Sequence, residues 1–70
     1  MQDFGMFTKE GNELVQRIVA AGQKLAVMDG TLNGWAFAER QLEQLAAAEG
    51  YEEATDTAVR ETVYSQIVFA

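Results

Sequence analysis

Apolar residues recur at spacings of three and four along positions 14–45. One set, Leu14, Ile18, Ala21, Leu25 and Met28, and a second, Trp35, Ala38, Leu42 and Leu45, each fall on one face of an α-helix. Between them stands Asp29-Gly30-Thr31-Leu32-Asn33-Gly34, rich in residues that stop and restart helices. The pattern predicts two amphipathic helices folded back on each other, at about 12–28 and 33–49. Val15, Val19 and Ala26 widen the first stripe, which suits a helix with more than one neighbour. Gly22, on that widened side, either leaves room for another backbone to come close or is a tolerated glycine with no such purpose.

The helix ends follow from capping chemistry. Thr8 and Asn12 are both good N-caps, and a glycine inside a helix costs about 1 kcal/mol relative to alanine, so Gly11 favours a start at Asn12. Asp29-Gly30 closes the first helix, Thr31 or Asn33 caps the second, and Gly50 stops it with Tyr51 folding back on its last turn. Beyond Gly50, Val59, Val63 and Ile67 fit a third helix at about 55–68, capped by Thr55 or Thr57. Val63, Ser65, Ile67 and Phe69 alternate as a strand would. Helix is preferred because Ala58 to Thr62 extends the helical pattern upstream. The expected fold class is therefore all-α, a small bundle of three helices in a single domain spanning 1–70, with a terminal strand as the alternative.

Length changes the picture. A 70-residue chain has a core worth only a few kcal/mol, and it contains no cysteine for a disulfide and no histidine, which with cysteine supplies the common zinc ligands. Neither a structural metal nor a cofactor is expected. Association is the remaining support, and 49% hydrophobic residues provide an interface as well as a core. The expectation is a homodimer, or a chain docked on a partner, with Leu14, Ile18, Leu25, Ile67 and Phe69 as self-association residues. The apolar ends, residues 1–7 with Phe4, Met6 and Phe7, and the closing Ile67-Val68-Phe69, are expected to be buried against each other, a second copy or a target.

No apolar run approaches the ~20 residues of a membrane span. Lys9, Glu10 and Glu13 interrupt the one stretch placed where a secretory signal would lie. A cytoplasmic protein without membrane contact is expected. The net charge of −6 argues against direct nucleic-acid binding, because the five cations Lys9, Arg17, Lys24, Arg40 and Arg60 are scattered. An acidic chain is instead drawn to basic surfaces, including those that hold a phosphate backbone.

The carboxylates concentrate late. Seven lie in the window 39–61 against Arg40 and Arg60. If residues 49–56 form a helix or tight turn, Glu49, Glu52, Glu53 and Asp56 project on one side. With Glu39 and Glu43 they form the candidate partner-binding face. Trp35 and Phe37, two apart on a helix, cannot both face the core, which makes one a candidate interface anchor.

Other chemistry is excluded on the residues. Asp29, Thr31, Asn33 and Gly34 match the first, third, fifth and sixth positions of a calcium loop, but Arg40 holds the twelfth, where a bidentate glutamate belongs. The stretch reads as an interhelical turn. Pairs such as Glu39 with Glu43 share a helix face without a nucleophile or pocket beside them, so no enzyme is expected.

The leading expectation is an acidic protein-interaction module that occludes a basic surface of a target protein. By analogy with short acidic proteins of phages and mobile elements, its role would be that of an inhibitor of the anti-CRISPR or anti-restriction kind. The alternative is a self-assembling structural component or adaptor with no inhibitory role.

Overall fold

The computed structural model describes residues 4–69. Three α-helices follow in order, α1 (Lys9–Asp29), α2 (Thr31–Glu49) and α3 (Thr57–Val68), with a 3-10 turn at Glu52–Thr55 leading into α3. The chain is a small all-helical bundle, and the described residues contain no strand.

The start of α1 differs from the sequence expectation, and the N-terminal segment explains why. Thr8 is the N-cap, its hydroxyl accepting from the Gly11 N–H at 2.9 Å. Asn12 does not cap the helix. Its Oδ1 accepts from the Phe4 N–H (2.8 Å), and its Nδ2 donates to the Thr8 carbonyl (3.1 Å) and the Met6 carbonyl (3.4 Å). These bonds fold Phe4 and Met6 back into the core, where both are buried. Gly11 then sits inside the helix because Met6 lies over it: an added Cβ would stand 3.1 Å from Met6 Cβ. Residues 1–3 of the expected docking segment lie outside the described residues.

The expected interhelical turn shrinks to one residue. Gly30, at φ 104° and ψ 153°, ends α1 by donating to the Ala26 carbonyl (2.9 Å) and begins α2 by accepting from the Asn33 and Gly34 N–H groups. This conformation is open to glycine and strained for other residues. Thr31 and Asn33 lie within α2 instead of capping it, and the Asn33 amide donates back to the Asp29 carbonyl at 2.8 Å. At the far end Gly50 takes the left-handed conformation, φ 80°. The Gly50 and Tyr51 N–H groups both donate to the Leu45 carbonyl, a Schellman-type stop that folds Tyr51 against the core as expected.

The core contains Phe4, Met6, Val15, Val19, Ala38, Leu42, Leu45, Ala54, Val59, Val63 and Ile67. On α2 the expected Ala38, Leu42 and Leu45 are buried, and on α3 the i, i+4, i+8 set Val59, Val63 and Ile67 is buried. On α1 the buried face is Gly11, Val15, Val19 and Gly22, one residue out of step with the expected Leu14, Ile18 and Leu25. That step is a rotation of about 100°. Leu14, Ile18 and Leu25 become half-buried flanks, Ala21 is exposed, and Met28 is 70% exposed.

The rotation has a local cause. Gly22 and Gly34 face each other across the α1–α2 crossing, and the carbonyl oxygen of Gly22 lies 2.7 Å from where a Cβ on Gly34 would stand. The reverse distance, from the Gly34 carbonyl to a Cβ on Gly22, is 3.5 Å. A side chain at position 34 would not admit backbones this close, and Val15 and Val19 turn inward on the same side of α1. Ile67 of α3 fills the remaining space over Gly22, and Gln23 Nε2 donates to the Gln66 carbonyl (2.9 Å), tying α3 to α1.

The strand alternative for 61–70 is replaced by helix over the described part. In a helix Phe69 falls two residues past Ile67, roughly 200° around the axis, which turns it outward. It is 84% exposed, and the expectation of a wholly buried C-terminal end holds for Ile67 alone. Asp56, not Thr55 or Thr57, occupies the N-cap position of α3.

Candidate functional site

Two helical stripes that the core leaves unused meet on one side of the bundle. On α2, Trp35, Glu39 and Glu43 succeed one another at i, i+4, i+8 beside the buried Ala38–Leu42–Leu45 face. On α3, Glu61, Tyr64, Ser65 and Val68 take the i, i+3, i+4, i+7 positions beside Val59–Val63–Ile67. Between the stripes lies an open groove of about 490 Å³, lined by Trp35, Glu61, Tyr64, Ser65, Val68 and Phe69.

Its floor is aromatic. The Trp35 and Tyr64 rings stack with centroids 5.7 Å apart and planes 28° from parallel, within the range of favourable offset pairs. Trp35 keeps 37% of its surface open, so the indole is held in place by its neighbour without being covered. Phe37, the other aromatic anchor considered, is half-buried on a different side of α2.

The surroundings of Tyr64 are electrostatically uneven. Burial lifts its hydroxyl above the ordinary tyrosine value of 10.0, and Glu39 adds to the rise; Arg60 opposes it, and Glu43 raises it further. The groove thus combines one lining carboxylate, Glu61, and the field of Glu39 and Glu43 with the apolar side chains Val68 and Phe69.

The proposed acidic face divides on burial. Glu39, Glu43, Glu49, Glu52 and Asp56 are exposed. Glu53 is buried at 9% exposure, and its Oε2 accepts from the Phe7 N–H at 3.3 Å, holding the N-terminal segment to the 3-10 turn. A four-residue run that looked uniform therefore has three solvated members and one tether.

The self-association residues divide too. Ile67 is consumed by the chain's own core, and Leu14 and Ile18 pack against that core from its edge. Leu25 is half-buried, whereas Phe69 stands free. Val27, Met28 and Leu32, also exposed, surround the α1–α2 turn.

Asp29, Thr31 and Asn33 form no loop, because Asp29 is the last residue of α1 and the other two are already helical. Among the described residues no group of three Asp, Glu, His or Cys side chains is placed to hold a metal ion, and no helix is long and apolar enough to cross a membrane.

Sequence reasoning named Trp35, Glu39 and Phe69 but missed Glu61, Tyr64, Ser65 and Val68. The i, i+3, i+4, i+7 spacing of that quartet is a usable signal once α3 is assigned. Which α2 residues it meets depends on packing. Comparison with protein-family models, with curated proteins and with solved structures gives no match.

Proposed function

We propose that this chain is a non-catalytic protein-interaction module that engages a basic surface of another protein through its α2–α3 side. The observation carrying this reading is an aromatic groove that the fold does not fill, flanked by exposed carboxylates that the fold does not use. Exposed acids steer a partner of opposite charge, and aromatic anchors supply the contact energy once it arrives. A target whose basic surface normally holds a phosphate backbone would be blocked by such a chain, which supports the finer proposal of an inhibitor of the phage or mobile-element type, anti-CRISPR or anti-restriction in kind, acting in the cytoplasm.

The test is affinity capture from the native host on the immobilised chain, with a matched variant carrying Glu39→Lys, Glu43→Lys and Glu61→Lys, exposed carboxylates of the α2–α3 side. Glu53 is left alone because it anchors the N-terminal segment. A partner held by the parent chain, lost by the variant and competed by a DNA oligonucleotide is the expected result. Equal retention by both chains rejects the reading.

Val27, Met28, Leu32 and Phe69, all largely exposed, support a second reading: a self-assembling component whose copies meet at that end. Sedimentation of the parent chain against a Leu32→Ser, Phe69→Ser variant separates the two. A parent assembly dispersed by these changes favours self-association.

A further inference from the structure

The groove's chemistry specifies its occupant more narrowly than a basic surface. Resting on the reading above, we propose that the α2–α3 groove seats an amphipathic basic segment of a partner protein, one arginine or lysine lying over the Trp35–Tyr64 pair and a bulky apolar side chain lying against Val68 and Phe69.

Three features carry this. First, Trp35 is stacked on Tyr64 yet keeps 37% of its surface exposed in the groove, and tryptophan is the strongest aromatic partner for a guanidinium or ammonium group. Second, one carboxylate lines the groove, and two more, Glu39 and Glu43 on α2, are close enough to raise the Tyr64 hydroxyl. Glu39 is one turn from Trp35 on α2, and Glu61 lines the groove three residues before Tyr64 on α3. A cation over the rings would meet Glu61 in the groove and the field of Glu39 and Glu43, three carboxylates against the single opposing charge of Arg60. Third, the lining is not uniformly polar, because Val68 and Phe69, both exposed, add apolar surface to the groove. A segment with a cation and an apolar residue one helical turn apart matches that mixed lining, as in helix-in-groove recognition.

Charge also decides against the other occupants. A second copy of this chain, itself −6, would bring Glu39, Glu43 and Glu61 against the same residues across a two-fold contact, and like charges so placed are unfavourable. Nucleic acid meets the same repulsion.

Trp35 is the one tryptophan of the chain, so its emission reports on the groove directly. The 70-residue chain is titrated with a synthetic Leu/Arg amphipathic peptide of about 18 residues, five helical turns, and with its counterpart in which every Arg is Glu. Saturable change in Trp35 emission with the Leu/Arg peptide is expected, with binding of the Leu/Glu peptide weaker by about tenfold or more. Glu39→Gln with Glu61→Gln, both at exposed positions, should weaken the Leu/Arg peptide about tenfold, the scale of two lost ion pairs to a bound cation. Phe69→Ser should weaken both peptides. Circular dichroism confirms that each variant keeps its helices.

Equal binding of the two peptides overturns the proposal. So does a loss confined to Glu49→Gln with Glu52→Gln, although that outcome leaves the basic-partner reading standing. Failure of the parent chain to bind either peptide overturns both. A concentration-dependent dimer abolished by Trp35→Ala assigns the groove to a second copy and overturns the proposal as well.

Discussion

The α1–α2 crossing makes a sharp test of what positions the groove, because Gly22 and Gly34 look alike in sequence and differ in what surrounds them. Replacing Gly34 by Ala places a methyl group 2.7 Å from the Gly22 carbonyl oxygen, 2.9 Å from Ala26 Cβ and 3.2 Å from the Ala26 amide nitrogen. Two of these are backbone atoms of a helix interior, so the crossing itself must open. Forcing an extra carbon into a packed contact costs about 1–3 kcal/mol. Alanine returns at most about 1 kcal/mol of helix propensity, and less in the first turn, where Gly34 sits. The net expectation is a loss of roughly 1–2 kcal/mol. In a domain of this size that lowers Tm by about 5–15 °C.

Gly22→Ala is the control. Its methyl meets Ile67 Cδ1 at 2.7 Å, the far end of a side chain that can change rotamer, while the Gly34 carbonyl stands at an ordinary 3.5 Å. Stability within about 1 kcal/mol of the parent chain is expected, the propensity gain offsetting the repacking. Thermal unfolding by circular dichroism and urea midpoints at constant slope measure both variants. A Gly34→Ala protein as stable as the parent, or less affected than Gly22→Ala, would refute the claim that a backbone-to-backbone contact orients α1. Because Trp35 adjoins Gly34, the Gly34→Ala chain should also show altered Trp35 emission.

Two further outcomes follow from the site. Glu53→Lys buries an unmatched ammonium group and removes the acceptor of the Phe7 N–H, so it should cost about 2 kcal/mol or more, whereas Glu52→Lys, one residue earlier and exposed, should stay within about 0.5 kcal/mol; urea unfolding distinguishes them. In a Tyr51→Phe background Tyr64 is the remaining tyrosine, and its phenolate absorbance should appear with a midpoint above 10.0, shifted down by Glu39→Gln. The neutral phenol is the form favoured by folding. Its contribution to stability is therefore complete below pH 10 and declines as pH rises from the unfolded value of 10.0 toward the raised folded one.

Much of this protein was legible along the chain. Gly30 and Gly50 stop helices because no other residue takes their backbone conformations cheaply, and both stops were readable from composition and spacing. The buried sets Ala38–Leu42–Leu45 and Val59–Val63–Ile67 were readable as well, since helical spacing places the members of each on one face, although Trp35, read on the same stripe as the first set, stays 37% exposed. The excess of carboxylates in 39–61 is a property of the sequence and needs no fold.

Packing decided the rest. On α1 apolar residues occupy more than half the circumference, so periodicity offered Leu14–Ile18–Leu25 and Val15–Val19–Gly22 as competing faces. Gly34 chose the second by letting α2 come closest there. Glu53 resembles its neighbours until Phe7, 46 positions away, presents an amide to it. Trp35 and Tyr64 lie on different helices, and nothing in either local pattern brings them together. Local spacing determines which side chains share a face because helix geometry is local; which faces meet, and hence where a groove opens, depends on how closely two backbones can approach, and only the folded chain settles that.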